Sequence, residues 1–196
     1  MNRSFANWNI YLNRLLADDY PSPADVGHTR LVREIMHEWI SRLGDVKSVL
    51  DVGCGDAAIA EPFFRKLGID YTGMALGVDV HKHNLRGVKA VNGDFSFLEE
   101  FADDSFGLIF SRHSLEHSPA PLLTLMEWHR VSAHFLCLVL PNPDHWGRVG
   151  KNHYSVLYDD QWKSLAERAG WGLIWEKKSE QEYWFMFEKK RTYDKN

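Results

Sequence analysis

The chain has 196 residues, 44% of them apolar and 26% charged, with a net charge of −4. That length suits one domain with a full core. The acidic balance argues against a nucleic-acid surface, which needs a basic excess, and no run approaches the ~20 apolar residues of a membrane span. Phe5 to Leu16 carries a helical stripe and ends at Asp18-Asp19-Tyr20-Pro21-Ser22-Pro23. A second helix is predicted from Thr29 to Leu43, stopped by Gly44. Residues 1–45 are therefore read as a helical cap and 46–196 as the main domain, in one compact unit.

The first core strand is Ser48 to Val52, followed by a helix from Ala57 to Leu67. Strands are predicted at Asp70–Val80, Val88–Val91 and Phe106–Phe110, then a helix at Ala120–Val131. His134–Leu140 is continuously apolar, as a strand buried on both faces should be. A helix at Asp159–Ala169 precedes two strands, Gly172–Lys177 and Tyr183–Lys189, whose short connection makes an antiparallel hairpin. This alternation predicts an α/β, Rossmann-like doubly wound sheet of seven strands, mostly parallel, with a C-terminal antiparallel β-hairpin. Met1–Trp8 lacks the layout of a secretory signal. Cys54 and Cys137 are too few for a disulfide framework, so reduced thiols and a cytoplasmic location are expected. Eight tryptophans are mostly packing; Trp8 and Trp146 lie where an aromatic wall over a ligand is conceivable.

The chemistry concentrates at Val49-Leu50-Asp51-Val52-Gly53-Cys54-Gly55-Asp56. A buried strand ends in an acid, and two glycines allow a sharp turn with bare backbone against a ligand. The run Gly53-Cys54-Gly55-Asp56-Ala57-Ala58 also satisfies a dinucleotide pattern, but a pyrophosphate here would meet the charge of Asp51, whereas a cationic ligand would be attracted to it.

Val49-Leu50-Asp51-Val52-Gly53-Cys54-Gly55 resembles the first motif of class I S-adenosylmethionine-dependent methyltransferases. Phe106-Gly107-Leu108-Ile109-Phe110-Ser111-Arg112-His113-Ser114-Leu115-Glu116-His117 resembles the fourth-strand motif of their small-molecule subset, of the ubiquinone and menaquinone type. Glu127-Trp128-His129-Arg130-Val131 is similar to the end of that family's next helix. The resemblance implies S-adenosylmethionine as cofactor and S-adenosylhomocysteine as product. It places Gly53 and Gly55 beside the methionine part and ribose, Asp51 toward the amino group, Asp94 and the Phe95 backbone at adenine, and the Ser111 carbonyl at the methionine amine. The ribose acid is assigned to Asp79. The family's spacing would instead put it on Ala75, so this chain departs from the pattern there.

His113, His145 and His153 are the candidates for a proton acceptor. The segment Asp144 to Tyr154 reads as a lid. Pro141-Asn142-Pro143-Asp144 falls after the fifth strand and lacks the final aromatic of the DNA amino-methyltransferase signature. No metal site is expected, although His113 and His117 stand four apart. The function expected is methyl transfer to a small-molecule acceptor by a monomer or homodimer, without nucleic acid or membrane span. A non-catalytic cofactor-binding sensor or scaffold and a nucleotide-dependent oxidoreductase remain alternatives.

Overall fold

The computed structural model describes residues 36–39, 41–55, 57–75, 88–147 and 153–190. The helix predicted at Phe5–Leu16, most of the expected cap, Asp79 and the middle of the expected lid lie outside these residues. The strands are β1 (Ser48–Val52), β2 (Asp70–Ala75), β3 (Ala90–Asn92), β4 (Phe106–Arg112), β5 (Ser132–Pro141), β6 (Trp171–Lys178) and β7 (Glu182–Lys189). The helices are α1 (Ala60–Lys66), α2 (Pro121–Val131), α3 (Pro143–Trp146) and α4 (Asp159–Arg168), with a 3-10 turn at Leu115–His117. The sheet order is β3-β2-β1-β4-β5-β7-β6. The first five strands run parallel, and β7 is antiparallel to both β5 and β6.

Alternation along the central strands feeds two cores, one on each face. Leu136, Leu138 and Leu140 of β5 join Tyr183, Phe185 and Phe187 of β7 and Trp128 of α2 on one face. Cys137, Val139, Trp184 and Met186 face the other, against Phe64 of α1 and Met36 and Trp39 of the helical residues 36–39. Gly44 ends this N-terminal helix with φ +55°, a left-handed stop that glycine tolerates. Of the two hairpin arms, β7 is the inner one because all of Tyr183 to Phe187 is buried, whereas most of β6 keeps contact with solvent.

Arg130 turns the end of α2 into a clamp. Its Nε and Nη2 donate to both oxygens of Glu127 at 3.0 and 2.7 Å, while further N–H groups reach the carbonyls of Phe101 and Leu98 and the carboxylate of Asp103. Glu127 in turn accepts from the Leu98 N–H at 3.0 Å. The Glu127-Trp128-His129-Arg130 run thus ties the chain after β3 to the helix; it is an architectural motif in this chain.

Asn142 does the same for the hairpin. Its Oδ1 accepts from the Asp144 N–H at 3.1 Å, capping α3, and from the Tyr183 hydroxyl at 2.8 Å. Its Nδ2 donates to the Glu180 carbonyl at 3.0 Å. A side chain engaged in this way has an architectural role. Asn142→Ala strands the buried Tyr183 hydroxyl and uncaps α3; thermal unfolding should show a loss of about 2–3 kcal/mol. A loss below about 0.5 kcal/mol would contradict this anchoring role.

Candidate active site

β1 has β2 on one side and β4 on the other, so the order of the parallel strands reverses between β1 and β4. In such sheets a crevice opens at that point, beyond the carboxyl ends. The glycine bend lies in it. The Met74 carbonyl accepts from the N–H groups of both Gly53 and Cys54 at 2.9 Å, which folds the chain back over β2. Gly53 has φ +79°, and a Cβ there would come within 2.0 Å of Ser114 Oγ. The first glycine therefore admits the serine that follows β4. Gly55 has φ +53°, and among the described residues nothing lies within 4 Å of where its Cβ would be. The open side of the bend is at Gly55, and Ser114 occupies the Gly53 side.

The predicted start of the next helix at Ala57 is corrected to Ala60. Ala57 has φ +55°, a left-handed conformation that interrupts a helix and costs a residue with a Cβ about 1–2 kcal/mol. Cys54 is half-buried in the bend rather than within a strand, and its Sγ would stand 2.8 Å from a Cβ on Gly73. Cys137 is buried in β5, and burial pushes its thiol pKa up.

Asp51 is buried at the tip of β1, its Oδ2 accepting from the Tyr71 hydroxyl at 2.6 Å. Burial pushes its pKa up to about 7, against the opposing pull of the Tyr71 hydrogen bond and the Arg112 charge. The Tyr71 phenol is raised far above its usual range, first by burial and then by Asp51, so it remains the proton donor. Ser111 sits inside the ladder, opposite Val52 of β1 and Leu138 of β5. Its hydroxyl and Arg112 Nε are buried without a hydrogen-bond partner among the described residues.

His113 has φ +50° and lies between two carboxylates. Its ring meets Glu182 Oε1 at 2.7 Å through Nε2 and Glu116 Oε1 at 3.5 Å through Nδ1. Arg112 Nη2 reaches the same Glu182 oxygen at 3.8 Å. Burial pulls the His113 pKa down, but the two carboxylates outweigh it and hold it at about 9. A ring protonated at neutral pH acts in this network as a cation and donor; taking up a proton is disfavoured. His145, on α3, stands 3.7 Å from Glu180 at the surface. His153 packs edge-on against His117 with ring centroids 4.7 Å apart; burial lowers its pKa, which keeps it neutral.

Asp94 follows β3, and its Oδ1 accepts from the Ser96 N–H at 2.7 Å, a local turn that fixes the carboxylate at the sheet's carboxyl edge. Phe95 is nearly buried and gives its carbonyl to Trp128 Nε1 at 2.7 Å. Trp146 donates from Nε1 to the Gln181 carbonyl at 2.9 Å. Of the residues assigned to the cofactor, Asp51, Gly53, Gly55, Asp94, Phe95 and Ser111 all lie at or next to the carboxyl ends of β1, β3 and β4. Ser114, Tyr71 and Glu182 were not singled out in the sequence; each reaches the site across strands, so only strand register reveals them. A glycine face beside a buried carboxylate suits a ligand that carries a cationic group.

This sheet order, with a glycine bend at the reversal point, is a doubly wound, Rossmann-like α/β architecture. Residues 50–134 match a family model described as a methyltransferase domain. That stretch of the chain is thus similar to an enzyme domain, a methyltransferase. Solved structures of similar fold include a SAM-dependent methyltransferase from Archaeoglobus fulgidus, 16% identical with a TM-score of 0.67, covering 82% of this chain and 94% of that one. Magnesium protoporphyrin IX methyltransferase from Synechocystis PCC 6803 with bound SAM is 12% identical, with a TM-score of 0.64 over 96% of this chain and 100% of that one. The [4+2]-cyclase SpnF is 17% identical, with a TM-score of 0.69 over 83% of this chain and 81% of that one. No curated protein matches the sequence. Among the described residues no helix is long and apolar enough to cross a membrane.

Proposed function

We propose that this chain transfers the methyl group of S-adenosylmethionine to a small-molecule acceptor. The observation that carries this reading is Asp51, a buried carboxylate at the end of β1 beside the open face of Gly55. The cofactor supplies a methyl group already activated on a sulfonium. The chain's part is to hold the amino-acid end of the cofactor at Asp51 and Ser111, the adenine at Asp94 and Phe95, and the acceptor in line with the methyl. Positioning of this kind is worth about 7–11 kcal/mol of the barrier. The net charge of −4 favours a small acceptor over a nucleic acid.

The test is calorimetric titration with S-adenosylhomocysteine, followed by a radiolabelled-methyl screen against small-molecule pools. Binding with a labelled product supports the proposal; binding with no labelled product in any pool favours the sensor reading. Binding of NAD with no binding of S-adenosylhomocysteine overturns both.

The pH dependence of binding follows from Asp51. With a pKa of about 7 in the free protein, the carboxyl is protonated at pH 5.5 and ionised at pH 8. An ammonium beside it favours the ionised form, so affinity for S-adenosylhomocysteine should rise with pH up to about 7 and then level off. Below pH 7 binding should release close to one proton, read by calorimetry in buffers of different ionisation heat. The free protein responds in the opposite sense. A carboxyl whose folded pKa lies above its unfolded value of 3.8 stabilises the fold below that value, and this contribution is lost as pH rises through about 7. Asp51→Asn should flatten both profiles; an unchanged binding profile would remove Asp51 from the cofactor site.

A further inference from the structure

The 3-10 turn after β4 and the residues that return from the lid meet in a cluster separate from the glycine bend. Glu116 and His117 lie on the turn, and both are buried; His153 comes from the returning segment and is half-buried. Two hydrogen bonds fix that segment to the turn. The Ser155 N–H donates to the Glu116 carbonyl at 3.0 Å, and Ser155 Oγ donates to the Ser118 carbonyl at 2.9 Å. One ligand-capable atom from each of Glu116, His117 and His153 lies within 4.8 Å of the others.

We propose that Glu116, His117 and His153 form a binding site for a divalent transition-metal ion. Glu116 points to it independently. It is 1% exposed, and among the described residues neither of its carboxylate oxygens has a hydrogen-bond partner. Its nearest cationic neighbour in an ion pair, His113 Nδ1, stands 3.5 Å from Oε1. A buried carboxylate without hydrogen bonds is costly, and a cation at the cluster would complete its coordination. Ligands around one ion at bonds of about 2.1 Å stand roughly 3–3.5 Å apart. Closing the cluster to that size shortens its longest separation by about 1.5 Å.

The donor set selects the ion. One carboxylate and two imidazoles suit zinc, cobalt and nickel; magnesium and calcium prefer oxygen alone. Three protein ligands leave a coordination position for water or another oxygen ligand. The turn begins directly after Ser114, the residue that a Cβ on Gly53 would meet. The inference rests on these side chains and does not depend on which acceptor is methylated.

The test uses the tag-free full chain after chelator treatment and dialysis. Titration with cobalt(II) is followed by visible absorption, and titration with zinc by calorimetry. One equivalent is expected to bind, with a cobalt absorption band that zinc displaces. His153→Gln, at a half-buried position that leaves the core intact, should weaken binding by at least tenfold, and Glu116→Gln by at least as much. His134→Gln, on the exposed side of β5, should leave the affinity unchanged. Absence of saturable binding overturns the proposal. So does binding of equal strength in wild type and His153→Gln, which would place the ion at other histidines.

Discussion

Glu182→Ala is expected to lower folding stability by about 3–5 kcal/mol, the usual cost of removing one member of a buried ionic network. Glu182 is fully buried at the start of β7, where it faces the two cations that close β4. Its Oε1 lies 2.7 Å from His113 Nε2 and 3.8 Å from Arg112 Nη2. Alanine leaves both cations in a dry site with Glu116 and Asp51 as the remaining carboxylates in reach. Glu182→Gln retains a hydrogen-bond acceptor for His113 and should lose only part as much. At 2–4 °C per kcal/mol for a chain of this size, the alanine variant should melt about 10 °C below wild type. Equal melting points for wild type and Glu182→Ala would show that the network does not hold the junction of β7 with β4.

This network also marks where the sequence stops being informative. His113 directly follows β4 and Glu182 opens β7, but the two are 69 residues apart. They meet only because β7, the second arm of the hairpin, turns back to lie beside β5. The signal for that insertion is present in the chain: Tyr183 to Phe187 is apolar without interruption, as a central strand requires, whereas β6 ends in Glu176-Lys177-Lys178, which suits an edge. The hairpin is legible from its turn, but its order in the sheet needs this second comparison.

The first strand is read to the residue, Ser48 to Val52, because a short apolar run between Gly44 and Gly53 has few alternatives. The helix after it is read three residues early because Ala57 looks like a good helix former yet adopts φ +55°. Backbone dihedrals of that kind follow from closing the bend over β2 and have no local signature. The hydrogen bond between Asp51 and Tyr71 is hidden for a related reason. Pairing sets Asp51 opposite Gly73, so the diagonal neighbour Tyr71 faces the same side of the sheet. Of the assigned cofactor residues, the glycines and Asp51 stand out by type and spacing, whereas Asp94 depends on knowing where the short β3 ends.

Gly53→Ala should abolish measurable binding of S-adenosylhomocysteine, through the shape of the bend rather than through a lost contact. The new Cβ would stand 2.0 Å from Ser114 Oγ and 2.7 Å from Ser114 Cβ. Neither the bend nor the end of β4 can move away freely. Both Gly53 and Cys54 donate to Met74, and the His113 N–H donates to Val139. The left-handed φ of +79° adds its own cost of about 1–2 kcal/mol for any residue with a Cβ. Gly55→Ala separates the two effects. There φ is +53° but nothing among the described residues lies within 4 Å, so the protein should lose only the conformational term. Its methyl group would still occupy the face assigned to the cofactor, and affinity should fall at least tenfold with modest loss of stability. The double variant Gly53→Ala/Ser114→Gly removes the collision and keeps the strained dihedral, so it should recover much of the stability of Gly53→Ala. Calorimetry and thermal unfolding on the three variants read both quantities. Wild-type affinity in Gly55→Ala would mean that the ligand does not lie on the open side of the bend. Loss of affinity there, with the fold retained, would identify the Gly55 face as a cofactor contact and Gly53 as the residue that lets the two strand ends meet.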